Sequence, residues 1–109
     1  MTSKSKAIGN RVEREVVKKA QEFGFEAKRA YGSNGEALGC SKETDVLVAG
    51  KYRLQVKKKE NFPKWLIEAD ENVDAVVFKS NNKPFKVMID LDDYLQLLKR
   101  WENLNNESR

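Results

Sequence analysis

The stretch "TDVLVAGKYRLQVKKK", Thr44 to Lys59, constrains this chain more than any other. Two strand-like runs, the first rich in β-branched residues, flank Gly50-Lys51, and a glycine between such runs reads as a hairpin. A turn at Gly50 sets Asp45 opposite Gln55 or Lys57. Residues two apart on a strand share a face. Gln55 and Lys57 therefore point one way, and Leu54 and Val56 point into the opposite layer. The hairpin brings a carboxylate, an amide and a lysine together, and its apolar side requires a covering layer.

The flanking segments supply that layer. From about Ile8 to Phe23, Val12, Val16, Ala20 and Phe23 fall on one stripe at helical spacing, and Gly24 suits the helix exit. Glu13 lies at the edge of this stripe, within reach of a sheet. "FEAKRAY", Phe25 to Tyr31, reads as a strand, and the glycine-rich Gly32 to Glu43 reads as a loop. "NFPKWLIEADEN", Asn61 to Asn72, predicts a short helix with Pro63 near its first turn. "VDAVVFKS" and "PFKVMID" predict two strands joined at "NNK". Asp90 caps a last helix, with Tyr94, Leu97, Leu98, Trp101 and Leu104 as its apolar face. Trp65 and Trp101 sit at helical spacing with other apolar residues, which favours core or subunit packing over base stacking. The expected order is α-β-β-β-α-β-β-α, an α/β fold with one mixed five-stranded sheet and helices against it. The 109 residues allow one domain, 1–109, with 1–6 and 105–109 expected to be flexible.

Composition narrows the chemistry. There is no histidine, so Ser–His and Cys–His catalysis and the common histidine-bearing zinc sites are excluded. The single cysteine, Cys40, cannot pair within the chain. Any catalysis rests on carboxylates, amides, hydroxyls, lysine or arginine, with a hard metal held by oxygen ligands as the remaining option. The net charge of +4 permits an anionic partner. No apolar run reaches membrane-spanning length and no signal-peptide pattern opens the chain, so a cytoplasmic protein without a membrane partner is expected.

Taken singly, each candidate has an ordinary reading. Glu13 suits a solvated helix face, Asp45 a strand-edge cap, and Lys57 to Lys59 a solvated charge run. Arg14 and Arg29 suit surface ion pairs. Taken together, Asp45, Gln55 and Glu13 offer oxygens to Mg²⁺, and Lys57 lies beside them to orient a water or offset charge on a phosphate. That combination is the chemistry of metal-assisted phosphodiester hydrolysis.

The pattern Glu13, Asp45, Gln55-Val56-Lys57 resembles the PD-(D/E)XK nuclease superfamily. More narrowly, "GNRVERE", "KRAYGS", "TDVLVAG", "RLQVKKK" and "DAVVFKSNNKPFKVMIDLDDYLQLL" resemble the archaeal-type Holliday junction resolvases and their phage-borne relatives. The resemblance spans about Gly9 to Leu98 and implies a restriction-endonuclease-like fold. It implies a metal-dependent, structure-selective endonuclease acting on four-way DNA junctions as a homodimer, in the host cell cytoplasm if phage-encoded. Mg²⁺ is the implied cofactor, with Mn²⁺ able to substitute. Glu13, Asp45, Gln55 and Lys57 match the catalytic positions. Asp45, Gln55, the Val56 carbonyl and Glu13 match the metal positions. Arg14, Arg29, Ser33, Lys58 and Lys59 match backbone-binding positions.

Gln55 departs from the pattern, because glutamate is usual there. It keeps one oxygen able to bind a cation but lacks the charge. Three readings stand: a natural enzyme that tolerates glutamine, an introduced Glu→Gln change, and a catalytically disabled DNA-binding module. A nuclease of the same superfamily acting on other DNA structures is a further alternative.

Overall fold

The structure is a computed structural model that describes residues 4–30, 36, 39–68 and 72–107. The elements follow the expected order: α1 (Lys4–Glu22), β1 (Ala27–Arg29), β2 (Val46–Val48), β3 (Tyr52–Leu54), α2 (Lys64–Glu68), β4 (Val76–Phe78), β5 (Lys86–Met88) and α3 (Leu91–Glu107). The chain is mixed α/β. Among the described residues the strands form two antiparallel sheets, one of β1-β2-β3 and one of β4-β5; the single mixed five-stranded sheet expected from the sequence is not shown. Each strand is three residues long. Local patterning shows which residues extend, but not which distant strands pair. The chain divides into two compact units, Met1–Lys58 and Lys59–Arg109.

In the first unit, α1 begins four residues before the expected start and ends as expected. Gly24 takes a left-handed φ of 88°. The Phe25 amide donates to the Ala20 carbonyl and the Gly24 amide to the Gln21 carbonyl, the paired bonds of a glycine C-cap. The helix packs on β1 and β2. Its inner face is Val12, Glu13, Val16, Val17, Ala20 and Phe23: the expected stripe is at least half-buried throughout, and Glu13, expected at its edge, is buried with it. The apolar core of this unit is Ala20, Phe25, Ala30, Val46 and Val48. Burying the two β2 valines contributes roughly 1.5–3 kcal/mol each.

The hairpin turns tightly. Ala49 and Gly50 have φ of 54° and 70°, and the Lys51 amide donates to the Val48 carbonyl at 3.1 Å. Two consecutive left-handed residues match the twist of the flanking strands. The register is Val46↔Leu54, Leu47↔Arg53 and Val48↔Tyr52, with Val46↔Arg29 and Val48↔Ala27 on the other side.

In the second unit, the Pro63 carbonyl accepts from the amides of Leu66 and Ile67 at the start of α2. The β4-β5 hairpin turns through Asn82, whose φ is 59°, a conformation asparagine tolerates. The Asp90 carbonyl accepts from the Tyr94 amide, and Asp92 and Asp93 occupy the first turn of α3, where carboxylates suit the helix dipole. This helix runs to Glu107, through residues expected to fray, because no glycine or proline interrupts it. Leu95 is buried and Tyr94 and Leu98 are half-buried, while Leu97, Trp101 and Leu104 are exposed. The apolar face of α3 is thus wider than the part it buries. Trp65 and Trp101 are both at least half exposed, which leaves subunit packing from the expected choice of core or subunit packing; Trp65 meets the Phe78 ring at 5.9 Å between centroids.

Candidate active site at the end of the three-stranded sheet

The candidate residues gather where β1 and β3 leave the first sheet and β2 enters it. The approach to β2 is a turn in which the Thr44 amide donates to the Ser41 carbonyl and the two hydroxyls lie 3.3 Å apart. Thr44 is buried, and sequence reasoning passed over it because serine and threonine in a polar loop carry no periodic signal. Its role is to fix the backbone just before Asp45.

Asp45 is 8% exposed and is tied into the sheet from both sides. Its carbonyl accepts from the Ala30 amide at 2.8 Å and its own amide donates to the Leu54 carbonyl at 2.8 Å. Extending the β2-β3 register sets Asp45 opposite Gln55, so the bond to Leu54 is one residue out of step. Such a step marks a local bulge, where side chains leave strict alternation. The Asp45 carboxylate uses this freedom. Its Oδ2 accepts from the Val56 amide at 2.7 Å, across the gap where a ladder bond would lie. The distance is that of a strong charge-assisted hydrogen bond.

Beyond Leu54 the chain leaves the regular ladder but keeps its alternation. Tyr52, Leu54 and Val56 are half-buried, while Arg53, Gln55 and Lys57 are exposed. Gln55 and Lys57 therefore share the solvent side, as the spacing predicts. Lys58 and Lys59 are exposed as well.

Glu13 reaches this end of the sheet from α1. It is 5% exposed, and its Oε1 lies 3.5 Å from Nε of Arg29, the last residue of β1. Arg29 is half-buried and adjoins Ala30, whose amide holds Asp45. The reading of Glu13 as a solvated residue does not hold, because the helix presents it to the sheet. Arg29, matched in the sequence to a backbone-binding position, here neutralises a buried carboxylate. Arg14 is exposed on α1. Ser33 lies outside the described residues.

The structure joins Asp45 to Val56 across the hairpin and Glu13 to Arg29 across α1 and β1, and leaves the Gln55 side chain exposed beside Val56. Among the described residues no three His, Cys, Asp or Glu side chains are placed as a metal site. Glu13, Asp45, the Gln55 amide and the Val56 carbonyl are all oxygen donors, the ligand type that Mg²⁺ takes. Comparison with protein-family models, curated proteins and solved structures returned no match.

Proposed function

We propose that this protein is a Mg²⁺-dependent endodeoxyribonuclease that hydrolyses phosphodiester bonds in branched DNA, with the four-way junction as its substrate. The observation that carries the reading is Asp45: a buried carboxylate locked by the Val56 amide at the register position of Gln55, two residues before an exposed lysine. A buried glutamate on α1 and an exposed lysine just beyond β3 support that reading.

In this reading Asp45 and Glu13 supply the negative charge that holds the cation, and Gln55 and the Val56 carbonyl supply neutral oxygens. The metal contributes Lewis acidity toward the scissile phosphate and acidifies a water. Asp45, held by Val56, stays oriented without rearrangement. Lys57, exposed beside it, orients the attacking water and offsets charge that develops on the phosphate. Arg14, Ser33, Lys58 and Lys59 meet backbone phosphates, reading shape rather than base sequence. Arg29, paired with Glu13, would be a further basic group for the backbone.

A four-way junction carries two equivalent strands to be cut, so we propose a homodimer with one site per copy. The exposed Leu97 and Trp101 of α3 support this assembly, since they lie one helical turn apart on an uncovered stripe. The restriction-endonuclease-like arrangement and a cytoplasmic location belong to the same proposal. Among the described residues no helix is long and apolar enough to cross a membrane. The test is cleavage of a synthetic four-way junction with Mg²⁺, alongside flap and linear duplex. Paired cuts in the junction, lost in Lys57→Ala, are expected. No cleavage by the chain as given, or cleavage unaffected by Lys57→Ala, would refute the catalytic assignment.

A further inference from the structure

We infer that the face of the three-stranded sheet opposite α1 is a phosphate-binding surface, with Lys28 and Arg53 gripping the DNA backbone next to the cut. The inference rests on the nuclease reading of the adjoining site and names two residues that reading does not include.

The register supplies the geometry. Lys28 pairs with Leu47 and Leu47 with Arg53, so the three side chains form one row across β1, β2 and β3. The neighbouring rows, Ala27-Val48-Tyr52 and Arg29-Val46-Leu54, stand on the other face. That face carries the buried valines, and Arg29 there meets Glu13 of α1. The Lys28-Leu47-Arg53 row therefore faces away from the helix. Lys28 and Arg53 are exposed and Leu47 is half-buried between them. Two strand spacings separate the cations, roughly 9–10 Å at the backbone. The Asp45-Gln55 position lies two residues further along, roughly 7 Å away. Beyond β3 the exposure continues through Gln55 to Lys57, while Ala30 and Asp45 at the same level, next to β1 and β2, are buried.

Charge selects the occupant. The laddered part of the face presents Lys28 and Arg53, and Lys57 continues it. Glu26 opposes them, 3.9 Å from the Lys28 ammonium in an exposed pair. An exposed pair of this kind is worth little and yields readily to a phosphate. A guanidinium and an ammonium flanking one apolar side chain suit a sugar-phosphate strand, with phosphates at both ends of the row and a sugar over Leu47. The row lies beside the site that would cut that strand, and an acidic protein partner would have no reason to seat there. The sequence carried a signal for this pair. Once the hairpin register is set, Lys28 and Arg53 must share a row, but β1 cannot be placed against β2 from local pattern alone.

The test measures binding of the full chain to a labelled four-way junction and a matched duplex across a salt series, with Ca²⁺ replacing Mg²⁺ to prevent hydrolysis. Lys28→Ala/Arg53→Ala is expected to reduce the slope of log K against log salt by about 1.8, from two contacts at about 0.9 each. Lys28→Arg/Arg53→Lys should restore it. Lys83→Ala/Lys86→Ala removes equal charge from exposed positions of the second unit and should leave the slope unchanged. An unchanged slope in the first variant, or an equal loss in the Lys83/Lys86 variant, overturns the inference, as does a native chain that binds neither DNA. Cleavage separates the two readings. A native chain that cuts the junction while the sheet variant keeps its slope refutes this surface alone. A chain that binds through Lys28 and Arg53 but never cuts refutes the nuclease reading alone.

Discussion

Replacing Asp45 separates its two roles, because alanine and asparagine remove different things. Asp45 is 8% exposed and its Oδ2 accepts the Val56 amide at 2.7 Å. Asp45→Ala leaves that amide without its acceptor in a part-buried position, a cost of about 1–3 kcal/mol. For a unit of this size each kcal/mol lowers Tm by about 4–8 °C, so a fall on the order of 10 °C is expected. Asp45→Asn keeps an oxygen at the same reach, so the Val56 bond survives and Tm should stay close to that of the native chain. The charge is lost, however, and with it the main attraction for a divalent cation. Junction cleavage should drop by at least about 100-fold. Thermal melting followed by circular dichroism and a cleavage assay on the same preparations give both readouts. If Asp45→Asn melts as low as Asp45→Ala, the oxygen is not what anchors the hairpin end. If it cuts like the native chain, Asp45 is not a ligand.

Four further outcomes follow from particular residues. Gln55→Glu adds a charge at the register position of Asp45 and should lower the Mg²⁺ concentration needed for half-maximal cleavage about 10-fold or more; unchanged metal dependence would remove Gln55 from the site. Ala49 holds a left-handed φ of 54°, so Ala49→Asn should stabilise the hairpin by about 0.5–1 kcal/mol in a denaturant titration. Partial burial raises the Tyr94 phenol above its ordinary value of 10.0, so the folded state holds the proton longer than the unfolded one. Stability is then complete below pH 10 and falls as pH rises from there through the folded value, a decline that Tyr94→Phe should remove in melts taken across that range. Trp101 is 55% exposed on the uncovered stripe of α3, so Trp101→Glu should shift a dimer to monomer in sedimentation without lowering Tm at low concentration.

Much of this protein was legible in its sequence. The spacing of apolar residues and the glycines at 24 and 50 marked the helices, the strands and the hairpin turn, because helix and strand periods and left-handed turn positions are local properties. The hairpin alone was enough to bring Asp45 to the end of the strand that carries Gln55 and Lys57, and to separate Gln55 and Lys57 from Leu54 and Val56. Tertiary structure decided what local pattern leaves free. It divided the five strands into two sheets, since pairing between distant strands depends on where the chain comes back. It buried Glu13 of α1 beside Arg29, because a stripe with a carboxylate inside it looks from sequence like a stripe with a polar border. It turned Arg29 toward Glu13 and set Lys28 in line with Arg53 on the opposite face, since β1 has no short link to β2. It also swung the Asp45 carboxylate across to the Val56 amide through a one-residue step in the ladder, a geometry that no periodicity encodes.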